Sequence, residues 1–63
     1  MKVPDIHAGR SYADRHGNIF TVREIQSGRA YFSIEGIHLL PLASSNLEGF
    51  ALAMVSELKG HGD

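Results

Sequence analysis

Sixty-three residues hold a single domain, and a core of that size needs help from well-formed turns, a partner chain or crosslinks. The chain has no cysteine, which excludes disulfides, thiol catalysis and cysteine-based zinc sites and suits a reducing compartment. Its formal charge of −1 excludes the domain-wide basic excess of dedicated nucleic-acid binders, although the cations gather in residues 1–33 and the anions in residues 34–63.

No apolar run approaches the roughly 20 residues a membrane span requires. The opening "MKVPDIHAGR" lacks the apolar centre of a signal peptide, so a cytoplasmic location is expected. Residues 1–9, with Pro4 and Gly9, read as a flexible lead-in. Residues 10–59 form the domain, and residues 60–63 are a tail.

The first turn is "DRHG" at 14–17, with Asp in a favoured type I position and Gly where a left-handed residue closes a bulge. It sets Tyr12 opposite Phe20. At "IQSGR" two loops compete. A two-residue Ser27-Gly28 turn sets Val22 opposite Ser33, whereas a three-residue loop sets Val22 opposite Phe32 and Phe20 opposite Ile34. A one-residue slip moves every apolar side chain to the wrong face, so the three-residue loop is expected. A turn at Glu35-Gly36 then places Ile34 opposite Ile37 and Phe32 opposite Leu39.

One face of this meander collects Tyr12, Phe20, Val22, Ala30, Phe32, Ile34, Ile37, Leu39 and Pro41. From Ser44 to Lys59 the chain reads as a helix. Ser45 and Glu48 fit a capping box, Leu47, Phe50, Ala51, Met54, Val55 and Leu58 recur at helical spacing, and Gly60 supplies a stop. The expected fold is α+β: a four-stranded antiparallel β-meander with a C-terminal packing helix, whose near relative is a curled, SH3-like small barrel.

The same register gives the outer face Ile19, Thr21, Arg23, Ile25, Tyr31, Ser33, His38, Leu40 and Leu42, with Arg23 opposite Tyr31 and Tyr31 opposite Leu40. Arg23 over Tyr31 reads either as an ordinary cross-strand pair or as the start of a recognition patch with His38 and Leu40, for protein or nucleic acid. A single stacking aromatic is fewer than single-strand readers usually present. The four histidines lack the short spacing of a zinc pair, so no metal and no cofactor is expected. Ser44 and Ser45 are explained by capping rather than nucleophilic chemistry, and no enzymatic activity is expected. Leu52 lies off the helix's apolar stripe. With Ile25, Leu40 and Leu42 it suggests a self-association surface and a homodimer.

"GRSYADRHGNIFTV", followed by "GRAYF" and "LPLASS", resembles segments of small uncharacterised proteins encoded by bacteriophages and prophages. The likeness spans residues 9–42. It implies a bacterial cytoplasmic setting and a protein that acts by binding, and it transfers no functional residue. The sequence thus reads as a non-enzymatic protein-binding module, such as a phage-derived regulator or inhibitor of a host protein. A small-barrel binder of single-stranded nucleic acid and a structural or assembly subunit are the alternatives.

Overall fold

The computed structural model describes residues 1–37 and 42–58. Its elements run β1 (Ser11–Asp14), β2 (Ile19–Gln26), β3 (Arg29–Ile34), β4 (Ala43–Asn46), α1 (Leu47–Ala53) and β5 (Met54–Leu58), after a 3-10 turn at Val3–Asp5. Asp14 organises the first hairpin. Its carboxylate accepts hydrogen bonds from the His16 and Asn18 backbone N–H groups, both at 2.9 Å, and from the Asn18 side chain at 3.1 Å. Gly17, at φ 86°, completes the turn, and Tyr12 pairs with Phe20 as expected.

The second hairpin reaches the expected register by another route. Ser27 and Gly28 both have positive φ, 52° and 75°, and Gln26 pairs with Arg29. The loop therefore has two residues, and two successive positive φ values are the mark of a type I′ turn. The extra residue sits instead in β2, where the register shifts between Val22 and Glu24 and leaves Arg23 as a β-bulge. Val22 still faces Phe32 and Phe20 still faces Ile34. Beyond the bulge the pairing changes: Glu24, not Arg23, is the register partner of Tyr31, and Ile25 pairs with buried Ala30. Ile25 consequently packs against the core instead of standing on the outer face.

Ile34 and Ile37 form the expected bridge. The fourth strand comes later than the turn spacing suggested: Phe32 pairs with Ala43 and Tyr31 with Ser44, replacing the expected Leu39 and Leu40. Ile37, assigned to the core from its alternation, is 46% exposed. His38, Leu39, Leu40 and Pro41 lie outside the described residues.

The expected long helix is shortened at both ends. Residues 43–46 go into β4, and the N-cap is Asn46 rather than Ser45. The Asn46 side chain accepts from the Glu48 and Gly49 backbone N–H groups at 2.8 and 3.3 Å. After Ala53 the chain extends and pairs antiparallel with β1. The result is an open five-stranded antiparallel sheet in the order β4-β3-β2-β1-β5, rather than four strands. The cause is tertiary. Without a partner, β1 would expose a row of backbone N–H and C=O groups, and pairing satisfies them at the cost of the last part of the expected helix. The β1 edge near Tyr12 is thereby covered.

The core joins Tyr12, Val22, Ala30 and Phe32 from the sheet to Phe50, Ala51 and Met54 from α1 and the start of β5. Phe50 is its hub: its ring lies 6.1 Å from Tyr12, 6.0 Å from Phe20 and 5.0 Å from Phe32, centroid to centroid. Edge-to-face and tilted pairs of this kind add to the area buried. Residues 1–9, read as a lead-in, contribute Ile6 to the same core. The buried Tyr12 hydroxyl donates to the Asp5 carbonyl at 3.0 Å and accepts from the His7 N–H at 2.7 Å. The Met1 ammonium donates to the Ala51 and Met54 carbonyls at the end of α1.

Candidate functional site

The strand register arranges the outer face in rows. Ala13 and Ile19 pair in the first row, and Glu35 joins them through its N–H to the Ile19 carbonyl. The second row is hydroxylic, with Ser11 paired to Thr21 and Thr21 to Ser33. The third holds the bulged Arg23 with Glu24, then Tyr31 and Ser44. The fourth is Gln26, Arg29 and Asn46. Side chains alternate across a pleated strand, so residues two apart share a face, and the bulge is what keeps Arg23 and Glu24 together on this one.

Within these rows lies an open groove of about 400 Å³. Thr21, Ser11 and Ser33 line its middle, Ile19 and Ile37 its apolar side, and Arg23 and Glu35 also border it. Ser11 is only 8% exposed, and its hydroxyl is 2.8 Å from that of Thr21. Hydroxyls in mutual contact can still donate to or accept from a ligand, because each oxygen has two lone pairs and one proton. Among the described residues Arg23 has no hydrogen-bonding or ionic partner, whereas Arg29 donates to Ser44 at 3.2 Å.

The expected recognition set is thus brought together only in part. Arg23 and Tyr31 share the outer face, while His38 and Leu40 lie outside the described residues. The self-association set separates: Ile25 packs toward the core, Leu42 is half-buried before β4, and Leu52 stands 81% exposed on α1. Sequence reasoning did not single out Arg29, Ser11 or Glu35 on this surface. A signal for the bulge was present, because the apolar alternation of Phe20 and Val22 changes phase at Ile25 with two charged residues between.

The perturbed titratable groups serve the scaffold. Arg10 bonds Glu57 at 2.7 Å, joining the start of β1 to β5, and this contact holds the guanidinium pKa above its ordinary value. Burial pushes the Tyr12 phenol up. Burial also pushes the Asp14 carboxyl up, but its bonds from Asn18 and His16 outweigh that and hold it below the usual carboxylate value. Among the described residues no three His, Asp or Glu side chains gather to hold a metal ion, and no helix is long and apolar enough to cross a membrane.

The outer face can therefore offer opposite charges, hydroxyls and one aromatic ring to a ligand lying along it. Comparison with protein-family models, with curated proteins and with solved structures finds no match.

Proposed function

We propose that this protein is a non-enzymatic, protein-binding module that works through the outer face of its sheet, in a bacterial cytoplasmic setting and as a regulator or inhibitor of a host protein. The observation that carries the reading is the β-bulge at Arg23. The hairpin closes with a two-residue turn, so the extra residue is not needed for the loop. Its effect is to place in the row of Tyr31, bordering the hydroxyls, a guanidinium with no hydrogen-bonding or ionic partner among the described residues. Charge on this face favours a protein over nucleic acid. Arg23 and Arg29 are matched by Glu24 and Glu35, whereas a phosphate backbone rewards an excess of one sign. The strand order, with a short helix leading into the last strand, supports a curled, SH3-like small barrel as the frame.

The test is capture from bacterial lysate by the wild-type chain and by an R23A/Y31A double variant, with and without nuclease. A protein retained after nuclease and lost with the double variant is expected. Capture that disappears with nuclease would give the face to nucleic acid, and capture unaffected by the double variant would remove it from the reading.

Self-association is a second reading, favoured by one observation: Leu52 and Val55, three residues apart where α1 passes into the edge strand β5, are 81% and 59% exposed. Sedimentation equilibrium decides it, and a single 6.9 kDa species at high concentration would set the homodimer aside.

A further inference from the structure

Along the groove, though not over the whole outer face, charge is ordered along the strands. Glu35 borders it in the first row, the hydroxyls of Ser11, Thr21 and Ser33 in the second, and Arg23 in the third, whereas Glu24, in the same row as Arg23, and Arg29, in the fourth, stand outside its lining. Strands rise about 3.3 Å per residue, so neighbouring rows on one face are about 6.6 Å apart and the two charged rows about 13 Å apart. An extended peptide covers that distance in about four residues. The groove runs between them, and beside its hydroxyls Ile37 offers apolar surface at 46% exposure.

Resting on the reading of this face as a protein-binding surface, we propose that its occupant is an extended peptide segment with opposite charges about four residues apart. The partner's acidic side chain meets Arg23 and its basic side chain meets Glu35. Between them, small polar side chains and backbone amides hydrogen-bond Thr21 and Ser33, and one apolar side chain rests on Ile19 and Ile37. Complementary charge at both ends fixes the direction in which the segment lies, because the reverse direction puts like charges together. A nucleic acid cannot satisfy this pattern, since its phosphates repeat a single sign past Glu35.

The experiment uses the full chain labelled with ¹⁵N and synthetic heptapeptides as probes. Two carry a pair of glutamates at one end and a pair of lysines at the other, in the two possible orders around a Ser-Leu-Ser centre. Controls place glutamate at both ends or lysine at both ends, and an oligothymidine is run in parallel. One of the two bipolar orders should bind about tenfold tighter than every control, moving the amide signals of Thr21, Arg23, Ser33 and Glu35. R23E and E35R should each weaken it about tenfold, and the R23E/E35R double variant should prefer the opposite order. Both positions are exposed, so signal dispersion will show that the variants remain folded. Equal binding of either single-sign peptide or of the oligothymidine would overturn the proposal, as would the absence of any order preference or of any binding. If the peptides fail while lysate capture still depends on Arg23 and Tyr31, the face remains a protein-binding surface and only the bipolar occupant falls.

Discussion

Residues 11–34 and residues 43–58 obey different authorities. In the first region the first turn and the period-two alternation agree, the bulge at Arg23 reconciles the second turn with that alternation, and the expected pairs Tyr12–Phe20, Val22–Phe32 and Phe20–Ile34 all form. In the second, helical spacing across "LEGFALAMVSEL" competes with the need of β1 for a partner. Local preference prevails only as far as Ala53. Helix propensity differs among ordinary residues by less than about 0.7 kcal/mol each, too little to hold a helix against a strand's unpaired backbone. Short-range signals thus decide structure where the chain folds onto its own neighbour. They yield where a segment must complete something built forty residues earlier.

Four changes would break or sharpen that contrast. Phe50→Ala removes the ring that joins the helix to three sheet aromatics, and truncating a buried Phe costs about 3–5 kcal/mol. A chain of this length has roughly 3–9 kcal/mol of total stability, so chemical denaturation should find the variant largely unfolded. Gly28→Val tests the hairpin alone. Nothing lies within 4 Å of an added Cβ there, so the effect comes from forcing a β-branched residue to φ 75°, and a loss of more than about 1 kcal/mol is expected.

Acid provides a gentler probe of the first turn. The Asp14 carboxyl is held below its ordinary value in the folded chain, so its contribution is present above the unfolded value and is lost as pH falls through the lower, folded one. Melting curves between about pH 5 and pH 2 should therefore show a steeper loss for the wild type than for D14N. The smallest effect belongs to Val55. On the helical stripe it would be a core residue, but as an exposed member of β5 it should accept Val55→Thr within about 0.5 kcal/mol. A larger loss would mean that β5 is not the strand described.

Much of the sheet was legible because its signals are local: Asp14 and Gly17 announce one turn, and Ser27-Gly28 the next. The register between Val22 and Phe32 was read correctly through the wrong loop, since hydrophobic matching specifies which residues face each other but not where an extra residue is accommodated. Ile25 shows the consequence, being assigned to the outer face when the phase change at Arg23-Glu24 had already turned it inward. β5 was hidden for a different reason. Met54 is buried in either a helix or a strand, so only the partner's location distinguishes them, and no window of sequence contains both β1 and β5. Of the candidate site, Arg23 and Tyr31 were visible as exposed residues of alternating strands. The hydroxyl row with Glu35 is assembled from three strands and emerges only when they are aligned.

The bulge at Arg23 also says something about how this chain can change in length. A residue lost from the middle of a paired strand ordinarily inverts every side chain beyond it. Here deletion of Arg23 would join Val22 directly to Glu24, and their partners Phe32 and Tyr31 are already consecutive, so the ladder closes without a slip. The position is a natural indel: a codon can be gained or dropped there while both faces keep their residues. The shortened chain is accordingly a cleaner separation of scaffold from surface than any substitution.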